Sequence, residues 1–261
     1  MGKQSVAVRV CAPVGLVAIL GAGCTSPALH LRGPTNLQVQ DEVSFIESDG
    51  HRIRVDVYQP AHGRYPAVIL LHGSGGIHAM VESQINRYAQ AMAEKGVISF
   101  VVHYFDSTDD FTANDSVETA NYFHWVREVR EAVTWVLGRP DVRGRQVGLL
   151  GHSLGAWLAV GVAAQDPRVS RIVLFGGGLE PFFADSIKRM PPVLMFHGDK
   201  DTVVPLSDAM HLAEFMRERH MSVQLFVLPG QEHVFSDSAA NDALTRAARF
   251  LAPNARQVRS P

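Results

Sequence analysis

Long apolar runs alternate with amphipathic segments along most of the chain. The apolar runs, most of which end near a glycine, are typical of strands buried on both faces of a sheet; they occupy residues 65–73, 97–106, 146–151, 171–178, 191–198 and 223–230. Helical periodicity marks residues 85–96, 116–140, 205–220 and 239–251. A further, wholly apolar helix is predicted after residue 153.

Two shorter segments near the start alternate apolar with polar residues. They are VSFIES at 43–48 and RIRVDVYQP at 52–60, and they flank the turn pair Asp49 and Gly50. This pattern predicts an antiparallel hairpin at one edge of the sheet. Because strands and helices alternate after it, the sequence predicts an α/β fold. Its mostly parallel, twisted sheet should have about eight strands, with helices on both faces.

Composition agrees with a packed domain and narrows the choice of partners. The chain has 261 residues, of which 46% are hydrophobic and 19% charged, and this balance predicts a folded core. The formal net charge is −2, and no run of Lys or Arg occurs. We therefore expect no nucleic-acid partner.

The first residues have the features of an export signal. Lys3 and Arg9 precede a short apolar stretch, which is followed by small residues up to Cys24. This placement of Cys24 resembles the lipobox of bacterial lipoproteins, although Gly21 stands where leucine is usual. Ordinary cleavage near the same position is the alternative interpretation.

These features predict the domain organisation and the location of the protein. We expect a signal peptide of lipoprotein type at 1–23, a tether at 24–40, a catalytic domain at 41–253 and a tail at 254–261. The protein would be exported to the bacterial cell envelope and held on a membrane surface through a lipid on Cys24. Cleavage would remove Cys11, and lipidation would consume Cys24. No thiol would then remain for a disulfide or a metal site.

A serine lies where a strand should turn sharply into a helix. Gly151, His152, Ser153, Leu154 and Gly155 form the pattern G-x-S-x-G between the strand at 146–151 and the apolar helix. Glycines on either side permit the tight turn, and the hydroxyl then projects at the helix N-terminus, where negative charge is favoured. The alternative is a serine that only caps the helix. The setting predicts a nucleophile.

A serine nucleophile needs a base, and the base needs an acid. His233 follows the last predicted strand, where the base is expected in folds of this kind. Asp199 and Asp201 follow the strand before it, and either could instead shape the turn or cap the next helix. Spacing alone does not separate these two acids.

A glycine-rich loop ends the strand at 65–71. His72, Gly73 and Ser74 are followed by two more glycines, so a backbone N–H of this loop could face a developing oxyanion together with the N–H of Leu154. A simple tight turn is the alternative. Losing one such donor typically raises the barrier by about 3–4 kcal/mol.

Together these motifs resemble the α/β-hydrolase superfamily and, within it, the dienelactone hydrolase-like family. The similarity covers about residues 43–251 and includes HGSGG, GHSLG, HGDKDTVVP and GQEHVF in the family's order. The resemblance implies an α/β-hydrolase fold and favours Asp201 as the acid and Ser74 as the oxyanion residue. It implies hydrolysis of a small-molecule ester or lactone without a cofactor or metal.

Two positions depart from dienelactone hydrolases proper. Those enzymes use a cysteine nucleophile where this chain has Ser153, and they carry a glutamate at the place of Gly73. A serine esterase that shares the fold is therefore the better interpretation.

The predicted strands leave little room for a lid. About 16 residues separate the strands at 171–178 and 191–198, too few for a large cap domain, so an open site is expected. Aromatic residues that could line an apolar pocket there, or could instead pack in the core, are Tyr104, Trp157, Phe182 and Phe183.

Other functions remain compatible with the sequence. A binding lipoprotein without catalytic activity could use the same scaffold, and a peptidase or acyltransferase could use the same triad. A metalloenzyme is disfavoured because the sequence lacks H-E-x-x-H and its histidines are dispersed over different predicted elements.

Overall fold

The computed structural model describes residues 29–31, 37–47, 49–60, 63–77 and 79–253. Cys11 and Cys24, with the predicted signal peptide, lie outside the described residues, as does the predicted tail at 254–261. Among the described helices, none is both long and apolar enough to cross a membrane.

Nine described strands form one sheet with the order β1-β2-β3-β5-β4-β6-β7-β8-β9. The pairs β1–β2, β2–β3 and β3–β5 are antiparallel, and the pairs from β5 onward are parallel. The strands are β1 Leu29–Leu31, β2 Leu37–Ile46, β3 Arg52–Pro60, β4 Tyr65–Leu71, β5 Ile98–Val102, β6 Val142–His152, β7 Val169–Phe175, β8 Val193–Gly198 and β9 Val223–Leu228.

Helices cover both faces of the sheet. They are α1 Ala79–Glu94, α2 Asp115–Leu137, α3 Leu154–Gln165, α4 Pro181–Ala184, α5 Leu206–Glu218 and α6 Asp237–Leu251. A short 3-10 helix, Tyr104–Ser107, follows β5. α1 and α6 supply the core on one face, and α2, α3 and α5 supply it on the other.

Strand β4 shows why the apolar runs form a central sheet. Ile69 and Leu71 join the core on the face of α2 and α3, whereas Val68 and Leu70 join the core on the face of α1 and α6. Because successive side chains point to opposite faces, a strand covered by helices on both sides must be apolar throughout.

The structure confirms the mostly parallel α/β sheet, the β2–β3 hairpin and helices on both faces. It adds strands within the segment predicted to be a tether, because β1 and the first residues of β2 lie at 29–31 and 37–40. Leu37 and Val39 are buried in the core beneath α1 and pair with Pro60 and Tyr58. The alternation of apolar and polar residues at 37–40 is too short to distinguish a strand from a polar linker in the sequence.

No large cap interrupts the described fold between β7 and β8. Residues 176–192 connect these strands, and the four-residue helix α4 is the regular element that the structure describes there. The carboxyl ends of β4, β6, β7 and β8 are therefore not covered by an inserted domain from this connection, as the sequence predicted.

Candidate active site

Ser153 occupies a strained corner between β6 and α3. Its backbone has φ 55° and ψ −127°, a conformation that costs on the order of 1–3 kcal/mol for a residue with a side chain. Its N–H donates to the carbonyl of Phe175 at 2.9 Å, which ties the corner to the end of β7.

The flanking glycines let the backbone close this corner. A Cβ on Gly151 would lie 2.2 Å from the carbonyl oxygen of Gly155, and a Cβ on Gly155 would lie 2.2 Å from that of Leu71. No side chain fits at either position, so α3 begins directly against β4 and β6.

His233 and Asp201 form a hydrogen-bonded pair after β9 and β8. His233 Nδ1 lies 2.8 Å from Asp201 Oδ2. Since a carboxylate only accepts, the imidazole donates from Nδ1, which leaves Nε2 free to accept a proton. Asp201 Oδ1 accepts from the N–H groups of Val203 and Val204, both at 2.9 Å.

The environment of Asp201 keeps its carboxyl ionised. Burial raises the pKa of this carboxyl. The hydrogen bonds from His233 and from the N–H groups of Val204 and Val203 lower the pKa by more, so it lies below its ordinary value. Asp199, the other candidate acid, instead accepts from the N–H of Gly230 at 2.6 Å. The structure therefore brings Asp201, and not Asp199, to His233.

The imidazole of His233 lies beside the serine corner. A Cβ on Gly176, the residue after Phe175, would lie 3.1 Å from His233 Nδ1. The rings of His152 and His233 have centroids 4.8 Å apart, and His152 Nε2 donates to the His233 carbonyl at 3.3 Å. Among the described residues, Ser153 and His233 share no hydrogen bond; such catalytic contacts often tighten only when substrate binds.

The glycine-rich loop after β4 passes directly over Ser153. A Cβ on Gly73 would lie 3.1 Å from the Cβ of Ser153, and the carbonyl of Ser74 accepts from the N–H of Ala113 at 2.8 Å. Within the part of the chain that the structure describes, the N–H groups of Ser74 and Leu154 have no acceptor.

Two further histidines support the pair: His152, which the sequence placed in the predicted elbow, and His197, which it did not identify. His152 is buried, and burial with the neighbouring His233 lowers its pKa to about 4, so its ring is neutral at pH 7. His197, at the end of β8, donates from Nε2 to the Val204 carbonyl at 2.8 Å and lies 3.4 Å from Asp201 Oδ2. A histidine one residue before the strand-end glycine was the available signal for His197.

The aromatic residues predicted to line a pocket have different environments. Tyr104 follows the core alternative: it is fully buried, stacks on His72 with centroids 4.1 Å apart and donates to the His72 carbonyl. Phe183 is also buried, and Trp157 is partly buried. Phe182, by contrast, is 55% exposed.

Phe123 is an exposed neighbour of Phe182 that the sequence analysis did not identify. It is 56% exposed and lies 5.7 Å from Phe182 between ring centroids. It belongs to the amphipathic helix α2, whose periodicity gave no sign that this residue faces another element's aromatic ring.

One group of possible metal ligands occurs among the described residues, and it does not include Ser153, Asp201 or His233. Glu47, Asp49 and His124 offer ligand atoms that all lie within 4.8 Å of one another.

The chain is similar to known proteins both in sequence and in fold. The sequence profile of the dienelactone hydrolase family matches residues 53–255. The crystal structure of a dienelactone hydrolase from Anabaena variabilis superposes with a TM-score of 0.63 and 20% identity, covering 84% of this chain and 99% of that one.

Fourteen curated proteins have recognisable sequence similarity to this chain, and they carry different names. A proposed phosphoribosyl transferase of Mycobacterium tuberculosis is 29% identical over 192 residues, which cover 69% of this chain and 39% of the relative. A proposed carboxymethylenebutenolidase of a Synechocystis species is 21% identical over 192 residues, covering 67% and 77%. The chain thus spans about two fifths of the mycobacterial relative.

Proposed function

Since the chain belongs to the dienelactone hydrolase family, we propose that it is a serine hydrolase. It cleaves carboxylic esters or lactones of small substrates through an acyl-enzyme. The observation that carries this proposal is the Asp201–His233 hydrogen bond beside a serine whose backbone has positive φ.

Ser153 is the nucleophile in the proposed reaction. Its Oγ attacks the carbonyl carbon while His233 Nε2 takes the hydroxyl proton, and Asp201 stabilises the resulting imidazolium. The N–H groups of Ser74 and Leu154 hold the oxyanion. Collapse breaks the bond to the leaving alcohol, which receives the proton from His233 and leaves an ester on Ser153.

Water completes the proposed cycle. His233 removes a proton from a water molecule as its oxygen attacks the acyl-enzyme, and the same proton returns to Ser153 Oγ as the acid is released. These steps use side chains, backbone N–H groups and water alone. His152, neutral and hydrogen-bonded to the His233 backbone, positions the loop that carries the base.

The exposed aromatic pair favours apolar groups on the substrate. Phe123 and Phe182 lie in contact at the edge formed by α2 and α4. Trp157, one turn into α3 from Ser153, links this edge to the site, because its carbonyl accepts from Tyr122, whose ring contacts Phe182. An ester with an apolar acyl or alcohol group could pack on these rings.

We also propose that the protein is exported and held on a membrane surface through a lipid on Cys24. The support is the charged, apolar and small-residue order of the N-terminal sequence and the resemblance of its cysteine position to a lipobox. An anchored enzyme with an uncapped site would act on small esters that diffuse to the envelope.

Replacing Ser153 by alanine tests the proposed chemistry. In S153A, turnover of p-nitrophenyl esters should fall by roughly 10⁴–10⁶-fold, because the nucleophile is lost while the fold remains. A fluorophosphonate probe should label the wild type and not S153A. The matched control is S207A, which removes an exposed serine on α5 and should keep both labelling and turnover.

Other outcomes would support the competing functions. Folded wild-type protein that the probe does not label would favour a non-catalytic binding protein. Unchanged turnover in S153A would remove this serine from the mechanism. A panel of esters with increasing acyl length, an amide and an acceptor alcohol then distinguishes an esterase from a peptidase or an acyltransferase.

A further inference from the structure

A cluster of charged side chains joins the β2–β3 turn to the middle of α2. We call it the hairpin–helix cluster; its members are Glu47, Asp49, His124, Arg127 and Glu128. Glu47 and Asp49 belong to the turn, where the Glu47 carbonyl accepts from Gly50. The other three face them from α2. One ligand atom each from Glu47, Asp49 and His124 lies within 4.8 Å of the other two.

Buried polar atoms without partners concentrate in this cluster. Across the described residues, seven buried side-chain atoms have no hydrogen-bond partner, and four of the seven belong here. They are Oε1 and Oε2 of Glu47, Nε2 of His124 and Oε1 of Glu128. The Glu47 side chain has 0% exposure and lies within hydrogen-bonding reach of the Asp49 carboxyl. Two carboxyl groups in such contact need a proton or a cation between them.

Carboxyl groups outnumber the guanidinium in this cluster. Burial raises the pKa of Glu47 to about 7 and the pKa of Glu128 well above its ordinary value. Arg127 Nη2 contacts Asp49 Oδ2 but lies 3.8 Å from Glu47 Oε2. One guanidinium therefore pairs closely with only one of the three carboxylates.

We propose that Glu47, Asp49 and His124 bind a divalent cation of the zinc class. Two carboxylates and one imidazole suit Zn²⁺, which binds such oxygens and nitrogens at about 2.0–2.2 Å. Glu128 remains a nearby carboxylate whose Oε2 accepts from Ser107 Oγ at 2.5 Å, and the exposed Asp49 gives the ion a path from solvent.

Arg127 and the ion exclude each other. The guanidinium lies 3.1 Å from His124 Nδ1 and against Asp49, so it occupies space and charge that the ion requires. Its side chain is 46% exposed and can move into solvent when the ion enters. We therefore expect the Arg127 guanidinium to lie in the cluster when no ion is bound and to move out when the ion binds.

The expected role of the ion is structural. It would link the hairpin at the antiparallel edge of the sheet to α2, and none of the residues assigned to ester hydrolysis belongs to the cluster. Metal should therefore stabilise the fold while leaving the proposed chemistry unchanged.

Zinc titration of the full-length protein tests this inference. After removal of metals with a chelator, ZnCl₂ is titrated by calorimetry and in a thermal-unfolding assay. The wild type should bind one equivalent that raises the apparent Tm. E47Q and H124Q should each lose that equivalent and the shift, whereas R127Q should bind at least about 10-fold more tightly because a competing charge is gone.

The control is H211Q, which removes an exposed histidine of α5 and should bind zinc like the wild type. Zinc bound elsewhere, including at Ser153 and His233, would persist in E47Q and H124Q. Equal binding by the wild type and these two variants overturns the proposal. So does a wild type whose unfolding is insensitive to zinc, which would indicate that water or protons alone satisfy the cluster.

Discussion

The two oxygens of the Asp201 carboxylate have different partners. Oδ1 is held by the N–H groups of Val203 and Val204, and Oδ2 faces His233 with His197 at 3.4 Å. The carboxylate therefore cannot rotate without losing hydrogen bonds. A fixed acceptor sets the tautomer of His233, which is what a general base in this position requires.

Exchanging each aspartate of this turn for asparagine separates the two roles. D201N should reduce kcat for ester hydrolysis by roughly 10³–10⁴-fold, because an amide no longer holds the Nδ1–H tautomer or stabilises the imidazolium. D199N keeps a carbonyl oxygen that can accept from Gly230 and should change kcat by less than about tenfold.

Steady-state kinetics on a p-nitrophenyl ester, with circular dichroism to verify folding, provide the measurement. A D199N variant as inactive as D201N would show that this turn acts as a structural unit and that Asp201 has no separate role as the acid.

The elements around the site are held by close backbone approaches. α3 begins against the end of β4, where the Gly155 position lies next to the Leu71 carbonyl, and Gly177 would place a Cβ 2.3 Å from the Cβ of Ala156. Such packing aims the N-terminus of α3 at the serine corner. The position of α3 therefore depends on these glycines, and so does the position of the Leu154 N–H.

Adding one methyl group to α3 should test this packing. In G155A the new Cβ would meet backbone of β4 at 2.2 Å, so the free energy of unfolding should fall by about 3 kcal/mol or more. In G161A, on the same helix, the nearest atom is the Tyr122 hydroxyl at 2.5 Å, and a side-chain end can move at a cost of about 1–2 kcal/mol.

Urea denaturation of both variants at pH 7 compares the two costs. Equal or smaller destabilisation of G155A relative to G161A would show that α3 can shift away from β4, contrary to the rigid corner described above.

The sheet itself was predicted well where it is buried on both sides. Each run from 65–73 to 223–230 overlaps one parallel strand, and β4 to β8 have the apolar signature of strands covered on both faces. The run at 223–230 differs, because β9 lies at the edge of the sheet and its residues are partly buried or exposed. β1 and the start of β2 were missed, since a short edge strand differs from a linker mainly in its pairing. Leu37 and Val39 become core residues only because α1 and β3 lie against them.

At the scale of the whole molecule, an uncapped domain of the dienelactone hydrolase family follows a sequence with export features. The connection between β7 and β8 contributes only a four-residue helix among the described elements, so this connection places no inserted domain over the site. The N-terminal segment that carries Cys24 lies outside the described residues, and the proposed anchor depends on its sequence.

Replacing Cys24 tests the anchor without touching the domain. When the full-length chain is expressed in a bacterial host, the wild type should sediment with membranes and incorporate labelled fatty acid. C24A should lose the label and move to the soluble fraction, because the thiol at the predicted attachment position is gone. Its ester turnover per molecule should equal that of the wild type, and equal sedimentation of both proteins would contradict lipid anchoring.

The sequence alone determined the features that depend on local chain chemistry. A serine between spaced glycines at a strand–helix junction specifies a corner in any surroundings, and doubly apolar runs specify buried strands. The tertiary structure decided that Asp201 meets His233, which lies 32 positions later in the sequence. It also decided that Tyr104 lies in the core and that Glu47 lies near His124. These contacts depend on how separate loops and helices are oriented, which no local pattern encodes.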